Sequence, residues 1–183
     1  MMRAGSLGEP VAEEQRSTKL IGAAREVARK GRTLNDALRR LAEALRRDFP
    51  GLIRVSVRVL RPDGVSLVVA GVWSAGSTRI GEGLVLRMLA TSMPEIAAGR
   101  ALVGRLNSNN PPLDDVLRSE GVWSWVSIPL VGETRAILSL SSGNLTDFKA
   151  EDEPFFTELG RSVQDRLIEL SRKKRRGRAG ASD

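Results

Sequence analysis

The chain reads as an α+β domain built on a central antiparallel sheet. Three observations predict this class. Ile53-Arg-Val-Ser-Val-Arg-Val59 alternates strictly between apolar and polar residues, the pattern of a strand with one wet face. The stretch from Gly121 to Ser142 reads as two more strands joined by a tight turn at Gly132-Glu133. Segments of helical spacing bracket both hairpins. Strands flanked by helices argue for a layered structure, with the N- and C-terminal helices on one face of the sheet. The short helices and loops are then left to cover the other face, where a pocket can form.

The elements follow in order. Residues 1–16 are polar and Gly-rich and are expected to form a flexible N-terminus. An N-terminal helix is expected over 17–32, with Leu20, Ile21, Ala24, Val27 and Ala28 on one stripe and Gly31 interrupting it. Thr33-Leu-Asn-Asp36 has the form of a capped helix start, because a Thr hydroxyl accepts from the backbone of the first turn. Leu34, Leu38, Leu41, Leu45 and Phe49 then step by three or four. Pro50-Gly51 ends that helix, since the residue before a proline is pushed out of the α region. Arg61-Pro-Asp-Gly64 is a turn, and Val65–Trp73 its returning strand, more continuously apolar and so more central.

Beyond Trp73, residues 74–89 contain Gly76, Gly81 and Gly83 and read as an irregular loop entering a short helix. Ser92-Met-Pro-Glu95 starts another short helix and Gly99 stops it. A short strand is expected over 101–106, a loop over 107–112 and a short helix over 113–119. The final helix should run from about Ala150 to Arg172, with Phe156, Leu159, Val163, Leu167 and Leu170 on one stripe. These elements define a domain over 33–171, followed by a basic disordered tail at 172–183.

Composition excludes more than it assigns. The 183 residues contain no Cys, no His and no Tyr. Disulfides, thiolate nucleophiles, thiolate metal sites and the commonest general base and metal ligand are therefore missing. The expectation is a protein that is not an enzyme, with no cofactor and no metal. Glu151-Asp-Glu153 is explained without a metal, as acidic residues at the positive end of a helix. The net charge of +7 lies in the tail: Arg172–Arg178 carries six of the 29 basic residues, and the remaining 23 face 22 acidic ones. A tail of this kind without interleaved aromatics gives no reason to expect specific nucleic-acid recognition. No apolar run approaches the ~20 residues that cross a bilayer. With no secretory signal visible at the N-terminus, the expected location is cytoplasmic, with no membrane partner.

Several pieces carry a resemblance. They are Gly121-Val-Trp-Ser-Trp-Val-Ser-Ile-Pro-Leu130, Ala136-Ile-Leu-Ser-Leu-Ser-Ser142 and Phe148-Lys-Ala-Glu-Asp152 before the last helix, supported by Ala70-Gly-Val-Trp-Ser74 and Ile96-Ala-Ala-Gly-Arg-Ala-Leu102. Their order and spacing from Thr33 to Ser171 resemble a bacterial GAF domain. The resemblance implies small-molecule sensing or ligand-free dimerisation, in either case regulating an attached or partner output domain. It also narrows the ligands. Bilins attached through Cys, His-ligated haem and the cysteine-dependent reduction of free methionine sulfoxide all require residues absent here. The cyclic-nucleotide signature is matched at Phe148, Asp152, Glu153 and Asn144, but Leu145 replaces its Lys, so the Lys–Asp pair cannot form.

With Gly132-Glu133 as the turn, Leu130 would face Arg135, Ser127 would face Leu138 and Trp125 would face Leu140. One face then receives Trp125, Ser127, Pro129, Ala136, Leu138 and Leu140, and the other Val126, Ile128, Ile137 and Ser139. The mixed first face suits a ligand cavity. The candidate binding residues are Trp73, Met93, Trp123, Trp125, Ser127 and Leu138. The bland alternative is that the three tryptophans are core packing or plugs. Phe155 and Ile168 widen the stripe of the last helix, which together with the helix at 17–32 points to a homodimer formed as a helical bundle. The expected function is a regulatory sensor of an unknown small molecule, acting on an output domain or a partner in trans. The alternative is a ligand-free dimerisation module of a signalling or transcription-regulating system.

Overall fold

A computed structural model of the chain describes residues 9–87, 93–106, 115, 117–132 and 135–179. Six strands, β1 (Leu52–Leu60), β2 (Ser66–Ser74), β3 (Val85–Arg87), β4 (Leu102–Arg105), β5 (Ser124–Leu130) and β6 (Ala136–Ser142), form one sheet in the order β3-β2-β1-β6-β5-β4. Every neighbouring pair is antiparallel. The helices are α1 (Glu9–Lys30), α2 (Leu34–Leu45), α3 (Met93–Ala97) and α4 (Glu153–Ala179), the last entered through a 3-10 turn at Ala150–Asp152. The α+β class is as the sequence predicts.

One face of the sheet carries the main core. Val55, Val57 and Val59 of β1, Val126, Ile128 and Leu130 of β5, and Ala136, Leu138 and Leu140 of β6 all bury there. α2 and α4 lie on this face, and α1 packs on α2 and α4 as an outer layer. The predicted stripe of α2 is fully buried at Leu34, Leu38, Leu41 and Leu45, and Thr33 Oγ1 accepts from the Asp36 amide at 3.2 Å, the predicted cap. Gly71 of β2 lets α2 approach closely: a Cβ there would sit 2.6 Å from the Leu34 side chain. All four phenylalanines meet at one end of this layer, where Phe156 touches Phe49, Phe148 and Phe155 with ring centroids 5.0–5.6 Å apart.

The structure corrects several boundaries. α1 begins at Glu9, inside the segment expected to be flexible; a proline in the first turn forfeits only an amide that has no helical partner there. α4 continues to Ala179 through the tail expected to be disordered. Lys and Arg are good helix formers, Lys173 pairs with Glu169 one turn back, and Lys174 pairs with Glu82 and Asn35 outside the helix. Residues 85–87 form the edge strand β3 where a helix was expected, because Gly83, at φ +83°, turns the chain back along β2. Residues 107–114 and 116, with the predicted loop, lie outside the described residues; of the helix expected over 113–119, residues 115 and 117–119 are described and are helical. No helix among the described residues is long and apolar enough to cross a membrane.

The closing hairpin differs most. Leu130 pairs with Ala136, Ile128 with Leu138, Ser127 with Ser139 and Trp125 with Ser141, a register one residue away from that expected. The two strands are joined by five residues, 131–135, rather than by a two-residue turn; Glu133 itself lies outside the described residues. Because side chains alternate with a period of two, this slip moves every β6 residue to the opposite face.

The phenylalanine cluster gives a first prediction. Phe156→Ala should lower the unfolding free energy by about 3–5 kcal/mol in urea titrations, the cost of an emptied aromatic site in a close-packed core. A loss below about 1 kcal/mol would show that the cluster is not close packed.

Candidate functional site

The second face of the sheet is unlike the first. β1 presents Arg54, Ser56 and Arg58 there, since Val55, Val57 and Val59 point to the helices. Register places Ser56 beside Ser139 and Ser139 beside Ser127, a row of three hydroxyls across β1, β6 and β5. The next row holds Arg54, Ser141, Trp125 and Gly104. Above the serines, Arg58 is flanked by Val69 and Ile137. The sequence marked β1's polar side as wet, yet Arg54, Ser56, Ser139 and Ser141 are all buried. Alternation reveals the polarity of a face but not what covers it.

The cover comes from two segments pinned on Arg54. Its Nη1 donates to Glu120 Oε2 at 3.0 Å and to Thr78 Oγ1 at 3.0 Å, and Thr78 Oγ1 donates to the same carboxylate oxygen at 2.6 Å. The Arg79 amide donates to Glu120 Oε1 at 3.3 Å, and Arg54 Nη2 reaches Ser141 Oγ at 3.4 Å. The Arg54 and Glu120 side chains are only 6% and 7% exposed. One ion pair thus ties the loop after β2 and the turn before β5 to the floor. Burial alone would raise the Glu120 carboxyl, but the bonds from Thr78 and the Arg79 amide, with the charge of Arg54, outweigh it and hold the pKa below the ordinary value. Burial lowers the Arg54 guanidinium despite the support of Glu120.

Of the six candidate residues, two come together on this face. Trp125 lies with its ring against the Gly104 backbone, where a Cβ would meet the indole, and Ser127 stands in the hydroxyl row. Leu138 is on the helix face, fully buried in the core, as the shifted register requires. Trp73 is there too: it pairs with Val55 and lies under the Arg46 guanidinium, 5.9 Å from the ring centroid. Trp123 is 43% exposed just before β5. Met93 opens α3, and its side chain lies outside the described residues. The residues missed are Arg54, Arg58, Ser139, Ser141 and Glu120. For the two arginines, the signal was two long basic side chains on the polar phase of a central strand. Asn144, matched above to a cyclic-nucleotide signature, sits in a turn where Ser142 Oγ and the Gly51 amide both donate to Asp147 Oδ2, and Asp152 Oδ2 accepts from the Lys149 amide. Those groups are occupied in local structure.

No family model and no curated protein matches the chain. Solved structures do. A putative GAF sensor protein from Burkholderia vietnamiensis superposes with a TM-score of 0.61 at 15% identity, over 87% of this chain and 98% of that one. The fold is GAF-like. The phycoerythrobilin-bound GAF domain of a cyanobacterial phytochrome gives 0.58 at 12% identity, over 85% and 98% of the two chains. The free methionine-R-sulfoxide reductase of Neisseria meningitidis, solved with its substrate, gives 0.62 at 18% identity, over 94% and 96%. That last likeness corrects one expectation. This GAF-like fold carries catalysis in the reductases, so the expectation that the chain is not an enzyme has no support.

Two predictions follow from this geometry. Glu120→Gln leaves Arg54 buried beside a neutral group, and should cost about 3–5 kcal/mol at neutral pH. Because the folded carboxyl titrates below its reference value of 4.5, the stabilisation is complete above that pH and is lost as pH falls through the folded value. The melting temperatures of E120Q and the unaltered protein should therefore converge on acidification; a gap independent of pH would exclude the ion pair as its cause. Separately, Gly104→Ala should push the Trp125 ring away and red-shift tryptophan emission, whereas an unchanged spectrum would contradict the stacking.

Proposed function

We propose that this GAF-like domain is a sensor that binds a small molecule on the sheet face opposite α2 and α4. The observation that carries this is the covered polar floor of Arg54, Ser56, Ser139 and Ser141 beside the indole of Trp125. Burying four polar side chains on one sheet face is costly unless they are satisfied, and a bound molecule would satisfy those left open. Trp125 supplies a flat apolar wall, and the serines supply orienting hydroxyls, the usual mixture of a ligand site.

The roof gives the binding event something to change. The segments over 75–84 and 117–122 hang on Glu120 and Thr78, so a ligand that competes for or reinforces Arg54 would alter how firmly they close. A ligand with different affinity for the open and closed forms shifts their populations, which is what a sensor needs. The wide apolar stripe of α4, which motivated a homodimer, is used up within the chain: Ile168 is buried, and Phe155 packs on Phe49 and Phe156. A homodimer would have to form through other surfaces of the terminal helices.

The test is native mass spectrometry of the freshly purified protein. The proposal expects an additional mass of a few hundred daltons on the folded species, and its loss in Trp125→Ala with little change in fold. Absence of any bound mass, together with no rise in melting temperature on adding small-molecule extracts, would contradict it. The same spectra report the oligomeric state.

A further inference from the structure

Arg58 is the member of the second face with no balancing partner among the described residues. Its cross-strand neighbours Val69 and Ile137 are both buried. Nη2 donates to Ser139 Oγ, while Nε is buried and bonds to nothing. Among the described residues no carboxylate pairs with it, and Glu120 is already matched by Arg54. The hydroxyls of Ser56 and Ser127, in the row that Arg58 reaches, also make no hydrogen bond among the described residues. Arg166 offers a contrast. It too has a buried Nε without a partner, but its guanidinium pairs with Glu169 at 2.7 Å and donates to the Gly31 carbonyl at 2.6 Å.

A guanidinium is always charged near neutral pH, and a covered charge without a counter-charge opposes folding. Here burial, with Arg54 close by, pulls the Arg58 pKa down to about 10. A folded value below the unfolded one means that keeping this group protonated costs stability at neutral pH. Such a residue has its use in the partner it is waiting for. The fork of N–H donors matches the oxygens of carboxylates and phosphates, and such charge-assisted pairs are strong where water is excluded.

We propose that Arg58 recognises an anionic group, a carboxylate or a phosphate, on the small molecule held by this face. Ser139, Ser56 and Ser127 stand beside the anion, and Trp125 lies against the flat part of the molecule. This rests on the sensor reading above and adds the ligand's charge to it. The anion supplies the negative charge that two arginines and one glutamate lack.

Calorimetric titration of the full chain tests it at constant ionic strength, with benzoate, phenyl phosphate and benzamide as probes. Benzoate and benzamide share shape and differ in charge, and the two anions separate carboxylate from phosphate recognition. The expected result is binding of at least one anion and not of benzamide, with Arg58→Gln weakening that binding roughly 10- to 100-fold. Benzamide binding as well as the anions, neither anion binding, or undiminished binding by R58Q would overturn the proposal. Should a bound neutral molecule then still appear in native mass spectra, the sensor reading stands without the anion. Arg58→Met separates a structural role: an unchanged or raised melting temperature without ligand supports the proposal, and a marked fall overturns it.

Discussion

The pleat of β1 is the constraint on which the rest depends. This strand sits between β2 and β6 in the middle of the sheet, and residues on both of its faces are buried. Its alternation sends Val55, Val57 and Val59 to the helices and Arg54, Ser56 and Arg58 to the opposite side. The apolar phase organises α2 and α4 and, through them, α1. The polar phase creates a problem of desolvation that the covering segments solve only in part. Arg54 is answered by Glu120 and Thr78; Arg58 receives one serine hydroxyl. The scaffold and the candidate site are thus two sides of one nine-residue strand.

Much of this was legible in the residues. The cap at Thr33, the leucine stripe of α2, the Pro-Asp-Gly turn and the stripe of α4 are local signals, and each forms where its chemistry predicts. The failures are non-local. A turn placed at Gly132-Glu133 looks sound by itself, but β6 is also held by β1, and that second pairing helps set its register. One residue of slip exchanged Leu138 for Ser139 on the second face. Trp73 was ambiguous because β2 is apolar on both sides, and only pairing with Val55 fixes its direction. The arginines were visible as a wet phase; the cover over Arg54 is held by Glu120, 66 residues away in sequence.

Residue absences mark the edge of what composition decides. A chain without Cys and His cannot use thiolates or imidazoles, which disposes of particular mechanisms. It does not separate binding from catalysis, because this fold supports both among its structural neighbours. What the structure contributes instead is a charge imbalance at a defined place. The buried ion pair that closes the roof and the guanidinium that lacks a counter-charge among the described residues share a floor. Under the proposed function, that juxtaposition would couple ligand capture to the position of the segments around Thr78 and Glu120.

The most direct measurement is nitrogen-15 NMR of the arginine Nε–H groups, because among the described residues two buried ones lack partners and only one of these faces the proposed site. On adding the native ligand, or an anion that binds, the Arg58 Nε–H resonance should shift and its exchange with water slow, while that of Arg166 stays in place. Equal responses from both arginines, or a response from Arg166 alone, would contradict the assignment of the second face as the binding site.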